Sequence, residues 1–337
     1  MQKIHPVNIK LKEQIIQHMN GKLKPIGSLG MLEDIALKLA LMGEGKINIK
    51  NPAIVIFAAD HGIANQGVSI APSEVTGLLL QAIADKKSGV SALLKDKDYA
   101  LYTVDAGTIG KEKSVSFQAR VALGSGDIST EPAMMLEQVQ ACLQKGGQIA
   151  QTLINQGHNI LAFGEVGIGN TSAAACIYAR LLDKPIEDCT GYGSGITKEQ
   201  YKQKVELLQK ALSRNNTQSP YEVMSHFGGY EINQIVGAIL MAASQKKPIV
   251  IDGYITGASA LLAIKIDKNV KDYLLFADVA AENGHALLFE ALDVQPILNL
   301  GLRLGEATAA VLALSVIEAA ASMYNNMGSF ADYGLQL

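Results

Sequence analysis

Apolar positions along the chain follow two patterns that alternate. In the first, a short and almost continuously apolar run ends in an acidic residue. In the second, an Ala- and Leu-rich stretch has apolar positions about every 3.6 residues. Runs of the first kind are typical of strands buried on both faces, and stretches of the second kind predict the helices that cover them. The five runs are AIVIFAADHG, ALYTVDAG, NILAFGEVG, PIVIDGY and YLLFAD, and their acids are Asp60, Asp105, Glu165, Asp252 and Asp278.

This alternation predicts the fold class. Strands that alternate with helices favour an α/β fold, with an open parallel sheet, flanking helices and right-handed crossovers, of the Rossmann-like kind. In such sheets ligands bind outside the carboxyl ends of the strands. All five acids fall at those ends, so the sequence predicts a polar cleft along one edge of the sheet.

The two ends of the chain differ from this middle part. Residues 1–45 have a helical pattern that is broken at KPIGSLG, and residues 305–325 have the pattern of one long helix. We predict a small helical domain from residues 1–45 and 305–337, beside a large α/β nucleotide-binding domain over residues 46–304. The apolar segment 307–321 is interrupted by Glu318 and is too short to span a bilayer, which favours a buried helix.

Composition excludes several classes of protein. The net charge of −3, the lack of a Lys/Arg run and the absence of tryptophan argue against nucleic acid as a partner. Three irregularly spaced cysteines are too few for a disulfide framework or a zinc site and favour a reducing compartment. The segment MQKIHPVNIKLKEQ lacks the apolar core of a signal peptide. We therefore expect a cytoplasmic enzyme of small metabolites that does not bind a membrane.

A glycine-rich turn, GEVGIGNTS from Gly164 to Ser172, joins one predicted strand to the helix AAACIYARLL. Such turns let backbone N–H groups approach a phosphate at the positive end of a helix. The spacing matches neither a Walker A loop nor a dinucleotide fingerprint, so a tight turn that binds nothing is an equal alternative. A second turn, Gly191 to Gly195, precedes another predicted helix and could hold the same phosphate from the other side.

The segment GLRLGEAT places Glu306 at or just before the start of the last helix. A carboxylate there can be a partner of the helix dipole or a general base. Burial would raise its pKa and the dipole would lower it, and the sequence leaves that balance open. His61 and His285 are interpreted as hydrogen-bonded structural residues. A Mg²⁺ site made by the strand-end acids is an alternative, against which the lack of a D-x-D motif argues.

Taken together, these segments resemble the family of nicotinate-nucleotide:dimethylbenzimidazole phosphoribosyltransferases (CobT-like), which make the lower-ligand nucleotide of cobamides. The resemblance covers nearly the whole chain, and its blocks occur in the family's order. They are KPIGSLGMLE, FAADHGIANQGVS with PSEVT, VDAG, GSGDISTEPAM, GEVGIGNTSAAA, TGYGSG, FGGYEINQIVGAIL, IDGYITGASALL, AENGHALLFEAL and GLRLGEATAAVLAL.

The resemblance implies a dimeric enzyme that uses nicotinate mononucleotide and a small aromatic acceptor, and that needs no metal or cofactor. It implies that Glu306 is the catalytic base and that Glu165 lies close to the nucleotide. The positions implied for the phosphate and ribose are Gly167, Ile168, Gly169, Asn170, Thr171, Gly193, Ser194 and Gly305. The positions implied for the acceptor are Ser73, Gln81 and Leu304.

Three places depart from the family pattern and leave the acceptor open. Only Gly89 remains of a glycine pair, Ala71 replaces an aromatic residue, and residues 277–282 lose the hydroxyl and imidazole groups of S-H-x-S-A-E. A branch of the family pairs two unlike subunits and attaches phenol or p-cresol, so a homodimer and a heterodimer with a paralogue are both open. Two further alternatives are a non-catalytic nucleotide-binding partner subunit and a Mg²⁺-dependent sugar-phosphate enzyme.

Overall fold

A computed structural model describes residues 3–193 and 195–335, and at its centre lies one parallel sheet. Its strands follow the order β3-β2-β1-β4-β5-β6, with every neighbouring pair parallel. The strands are β1 (Ala53–Ala59), β2 (Ala100–Gly107), β3 (Phe117–Gln118), β4 (Leu161–Val166), β5 (Ile249–Ile251) and β6 (Leu274–Phe276). The predicted fold class, an open parallel sheet flanked by helices, is confirmed.

The direction of the strand order reverses between β1 and β4, which pair directly, with Ala53 opposite Leu161. At such a reversal the loops that follow the two strands separate and leave a crevice for a ligand. The five predicted strands are all present, and β1, β4 and β5 are buried along their whole length. The sequence did not predict β3, because it has two residues and no apolar run.

Thirteen α-helices occur in the described part of the chain. They are α1 (Lys12–Asn20), α2 (Met31–Met42), α3 (Glu74–Ala84), α4 (Gly89–Leu93), α5 (Leu136–Asn155), α6 (Asn170–Leu182), α7 (Ile186–Cys189), α8 (Lys198–Ser213), α9 (Pro220–Phe227), α10 (Tyr230–Ser244), α11 (Tyr254–Ile266), α12 (Asn283–Leu292) and α13 (Thr308–Asn326). Helix α10 packs on the sheet between α5 and α11, whereas α3 and α13 contact β4.

The two chain ends meet in space. Helix α1 ends before KPIGSLG and α2 begins after it, as predicted, and α2 packs against α13. The division into domains 1–45 with 305–337 and 46–304 stays a prediction. Among the described residues, α13 is the one helix that is long and apolar enough to cross a membrane, but 61% of its apolar window is buried inside the structure. This burial is what a core helix shows.

Candidate active site

A cavity of roughly 190 Å³ opens at the carboxyl ends of the central strands. Its walls come from the end of β4 and the turn after it, from the segments after β5 and β6, and from the turn before α13. Five of its lining residues are acidic: Glu165, Asp252, Asp278, Glu282 and Glu306. Three of them are strand-end acids, so the polar cleft predicted from the sequence exists.

The structure brings Glu165 and Glu306 together. The backbone N–H of Glu306 donates to the carbonyl oxygen of Glu165 at 3.1 Å, and each residue is 6% exposed. Gly305 makes this approach possible, because a Cβ atom there would lie 2.3 Å from Glu165 Oε1. Glu306 and Ala307 both adopt left-handed backbone angles, with φ of 63° and 60°. Two such non-glycine residues in succession are strained, which is typical of functional sites.

Burial controls the charge of Glu165. It raises the pKa of this carboxyl to about 8, and the negative charges of Glu231 and Asp252 act in the same direction. The side-chain amide of Asn170 donates a hydrogen bond to Glu165 Oε2 and opposes the rise. Glu165 can therefore hold a proton near neutral pH and lose it when a cation binds beside it.

For Glu306, burial outweighs the groups that favour its charge. Burial raises the pKa of the Glu306 carboxyl, and a hydrogen bond from the backbone of Val90 offsets part of the rise. Its Oε2 atom is buried and has no hydrogen-bond partner. The residue lies two positions before α13, as expected. A buried carboxyl with a raised pKa and a free oxygen is suited to accept a proton from a bound molecule.

Asp252 has a structural role that the sequence did not reveal. Its Oδ1 accepts the backbone N–H of Ala310 at 2.8 Å in the first turn of α13, the helix that follows Glu306. Burial raises the pKa of Asp252 to about 7, although hydrogen bonds from the backbone of Ala307, Ala309 and Ala310 act to lower it. Asp252 therefore anchors the helix start that positions Glu306.

The other strand-end acids have separate partners. Asp278 accepts the backbone N–H of Leu300 through Oδ1, and its buried Oδ2 has no partner. Asp105 pairs with Arg120 at 2.8 Å, and Asp60 accepts the backbone N–H of Ile109. Neither Asp60 nor Asp105 lines the cavity, so the five acids at the strand ends do not form one cluster. Among residues 3–193 and 195–335, no group of three or more His, Cys, Asp or Glu side chains is arranged to hold a metal.

The predicted phosphate loop borders the cavity. Gly167, Ile168, Asn170 and Thr171 of this loop line it, and so do Gly193 and Gly305, the positions implied for the same ligand by other segments. Gly169 lies in the turn itself, with φ of 95°, just before α6. The N–H of Ile168 donates to Thr76 Oγ1 at 3.0 Å. Ser194 lies outside the described residues.

Lys204, on α8, is a charged residue of this region that the sequence analysis missed. Its Nζ donates to Thr171 Oγ1 at 3.0 Å and to the carbonyl oxygen of Gly191 at 3.2 Å, and the residue is 1% exposed. Burial lowers the pKa of Lys204 to about 8, although the charge of Glu282 opposes the shift. A signal was available, because Lys204 shares the apolar face of α8 with Leu208, four positions later.

The predicted acceptor residues separate into two groups. Leu304 lines the cavity and is 51% exposed. Ser73 and Gln81 do not line it, and Gln81 donates to Asp85 and accepts the backbone N–H of Ser114. Their role in binding an acceptor stays a prediction. The apolar wall is completed by side chains that the sequence did not indicate: Leu79, Val166, Ile255 and Leu302.

Both histidines have structural partners. His285 is buried, its Nδ1 accepts the backbone N–H of Ala280, and burial lowers its pKa to about 3, so the ring is neutral. His61 Nε2 and Glu231 Oε1 form a buried hydrogen bond of 2.7 Å. The sequence did not single out Glu231.

Comparisons with known proteins agree on one family. A family model described as a phosphoribosyltransferase matches residues 4–335. A nicotinate-nucleotide–dimethylbenzimidazole phosphoribosyltransferase of Shewanella oneidensis is 43% identical over 99% of this chain and 97% of that protein. The enzyme of the same name from Vibrio cholerae is 40% identical over 96% of this chain and 97% of its own length. The crystal structure of CobT from Thermus thermophilus matches with a TM-score of 0.93 and 34% identity, over 97% of this chain and 99% of that one.

Proposed function

This chain belongs to the nicotinate-nucleotide–dimethylbenzimidazole phosphoribosyltransferase family and is a pentosyltransferase of cobalamin biosynthesis, and we propose the following substrates and residue roles for it. The donor is nicotinate mononucleotide and the acceptor is a benzimidazole base. The observation that carries this proposal is the meeting of Glu165 and Glu306 in one cavity beside the glycine-rich loop.

The reaction replaces one C–N bond at the ribose by another. The bond from C1′ to the nicotinate nitrogen breaks, and its electron pair returns to the pyridine ring, which leaves as neutral nitrogen without needing an acid. One nitrogen of the benzimidazole attacks the opposite face of C1′ and gives an α-riboside phosphate. Glu306 accepts the proton that the other ring nitrogen carries. General-base help of this kind is worth about 10²–10⁴ in rate.

Glu165 has an electrostatic role in this proposal. The donor ring is a pyridinium cation, and positive charge moves onto the ribose as the C1′–N bond lengthens. A carboxylate that is already in place stabilises that charge without reorganisation. The support is the position of Glu165 on the cavity wall between Gly167 and Gly305. Burial raises the pKa of Glu165, and a cation bound beside it shifts the carboxyl back toward its ionised form.

The phosphate is assigned to the other end of the cavity. Thr171 and Gly193 line it there, and the buried ammonium of Lys204 lies against the Thr171 hydroxyl. The N-terminus of α6, a helix of 13 residues, adds partial positive charge. The ammonium of Lys204 and the start of α6 therefore border one end of the cavity, where Glu282 lies close to Lys204 and accepts from the backbone of Gly193. Glu165 and Glu306 lie together elsewhere on the wall. This arrangement suits a molecule with a phosphate at one end and a cationic ring at the other.

A product assay tests the proposal. The purified protein is incubated with nicotinate mononucleotide and, in separate reactions, with dimethylbenzimidazole, a purine or phenol, and the products are identified by mass spectrometry. We expect nicotinate to be released in equal amount to an α-riboside phosphate of dimethylbenzimidazole. An O-linked product from phenol alone would move the chain to the phenol-using branch. No nicotinate release with any acceptor would contradict the proposal.

The non-catalytic alternative is not favoured, because both Glu165 and Glu306 line the cavity.

We further propose that the chain works as a dimer, since large apolar side chains near the cavity, Leu78 and Leu304, are 65% and 51% exposed. Light scattering should give twice the mass of 35.8 kDa, and purification beside a paralogue would reveal a heterodimer. A cytoplasmic location is supported by three buried free cysteines.

A further inference from the structure

A buried, hydrogen-bonded pair of a histidine and a glutamate lies beside the glycine-rich loop. Nε2 of His61 and Oε1 of Glu231 are 2.7 Å apart, and the two side chains are 1% and 0% exposed. The other atoms of the pair, His61 Nδ1 and Glu231 Oε2, are buried without a hydrogen-bond partner. Burying polar atoms that have no hydrogen-bond partner is costly, and a well-packed apolar pair would often be more stable. Stability alone therefore does not account for these two residues.

Three glycines show how closely the backbone surrounds the pair. A Cβ atom on Gly167 would lie 3.2 Å from Glu231 Oε1, and one on Gly169 would lie 3.2 Å from His61 Cβ. A Cβ atom on Gly229 would lie only 2.4 Å from His61 Cε1. Two of these glycines belong to the turn proposed to hold the nucleotide. The pair therefore forms the packing surface on which that turn rests.

The carboxylate of Glu231 also acts on Glu165 across this turn. After burial, the charge of Glu231 is the largest cause of the raised pKa of Glu165. The other acids that face Glu165 are Asp252, at the end of β5, and Glu306, before α13, and Asn170 donates to it from α6. Asp60, at the end of β1, faces His61 and Glu231 in turn.

We propose that His61 and Glu231 are positioning residues of this transferase, which hold the Gly167–Asn170 turn in its nucleotide-binding form and act on Glu165 through the field of the Glu231 carboxylate. The inference rests on the proposed function. Neither residue lines the cavity, so neither is expected to touch a substrate. Their effect is on nucleotide binding and on the ionisation of Glu165, and the acceptor wall is left unchanged.

The test is Glu231→Gln, which keeps the shape and an oxygen that can accept from His61 but removes the charge. We expect the KM for nicotinate mononucleotide to rise roughly tenfold or more, while the KM for the acceptor changes less than about twofold. We also expect the acid limb of kcat/KM against pH to move to lower pH, because Glu165 loses a neighbouring negative charge. A merely structural role would not move that limb.

Asp105→Asn is the matched control. Asp105 lies on β2, the strand beside β1, and is another fully buried carboxylate, paired with Arg120. The Asp105→Asn change should destabilise the protein and leave the acid limb in place. If Glu231→Gln does not fold, the double variant H61N/E231Q, which has no ionisable group at these two positions, takes its place. If the wild type is active and Glu231→Gln leaves both the KM for nicotinate mononucleotide and the acid limb unchanged, the inference is overturned and the proposed function stands. A wild type that releases no nicotinate would overturn the proposed function, and the inference with it.

Discussion

The backbone N–H of Glu306 donates to the carbonyl oxygen of Glu165 at 3.1 Å, which joins the turn before α13 to the end of β4. This bond holds two acids from distant parts of the chain at one cavity. They share a buried environment, and burial raises the pKa of both carboxyls. Their assigned tasks differ, since Glu306 accepts a proton and Glu165 stabilises positive charge. Variants of each residue, and the dependence of activity on pH, separate these tasks.

Glu306→Gln removes the proposed base without changing its size. We expect kcat to fall by about 10²–10⁴-fold, the usual worth of general-base catalysis. Binding of nicotinate mononucleotide, measured by calorimetry, should stay nearly unchanged, because the phosphate end of the cavity is intact. Glu318→Gln is the matched control on α13, where Glu318 accepts from the Tyr99 hydroxyl far along the helix. Turnover of Glu306→Gln at the wild-type rate would rule out the assigned base.

The pH dependence of kcat/KM reports the groups of the free enzyme. Because the pKa of Glu165 is raised to about 8, and its ionised form is the one that stabilises positive charge, the acid limb of kcat/KM should be centred near that value. The pKa of Lys204, lowered to about 8, sets the alkaline limb, so the profile should be bell-shaped. The measurement runs from pH 5 to pH 9.5 with the donor varied. The donor's phosphate titrates near ~6 and is followed separately as a control. A profile with no acid limb within this range would contradict the assignment of Glu165.

The same carboxyl links stability to pH. The folded protein keeps the Glu165 proton up to about pH 8, whereas the unfolded chain loses it near the ordinary glutamate pKa of 4.5. Between these values the folded state binds more protons, so this group lowers the free energy of unfolding as pH rises. Glu165→Gln removes that penalty. Its Tm should equal the wild-type Tm near pH 4 and exceed it by several degrees at pH 8.5, while kcat falls.

Thermal unfolding of both proteins at the two pH values checks this. The penalty is on the order of a few kcal/mol, which is large beside the net stability of a typical domain. A Tm difference that does not grow with pH would show that Glu165 ionises at its ordinary value in the folded protein. The more stable and less active variant is the expected signature of a residue kept for chemistry.

The sequence predicted the sheet better than it predicted the site. Strands β1, β4 and β5 are buried on both faces, so their continuous apolar runs were unambiguous. The placement of Glu306 just before α13 followed from local helix signals. Lys204 and Glu231 were missed, because what makes them important is burial against segments that lie far away in the sequence. A single charged residue on an apolar helix face gives only a weak hint of such burial.

Gly164 is a further position that only the structure explains. It lies within β4, and a Cβ atom there would come within 2.3 Å of the backbone nitrogen of Ala307. Gly164→Ala should therefore push the turn that carries Glu306 away from the strand, and lower both Tm and kcat. Gly147→Ala is the control, because a Cβ atom at that buried helical glycine meets only ordinary contacts, the nearest at 3.5 Å. A Gly164→Ala variant with full activity would mean that the close approach is not needed.

Lys204 is expected to bind the phosphate of the donor, because its Nζ lies directly behind Thr171 and Gly193, which line the cavity. Its ammonium is the buried positive charge beside Thr171, and a charge-assisted hydrogen bond contributes about 1.5–3 kcal/mol. Lys204→Met removes the charge and keeps an apolar stem of similar length. The KM for nicotinate mononucleotide should rise by roughly 10- to 100-fold. The KM for the phosphate-free nicotinate riboside should not change, since the lost interaction is with the phosphate alone.

The wild-type enzyme offers an independent check of the same charge. Because the pKa of Lys204 is lowered to about 8, its ammonium loses a proton within the working range, and the affinity for nicotinate mononucleotide should weaken above that pH. For the Lys204→Met variant, Lys38→Met is the matched control. Burial also lowers the pKa of Lys38 to about 8, but this residue lies on α2, away from the cavity. If both donors lose the same affinity in Lys204→Met, the lysine supports the fold of the loop and does not bind phosphate.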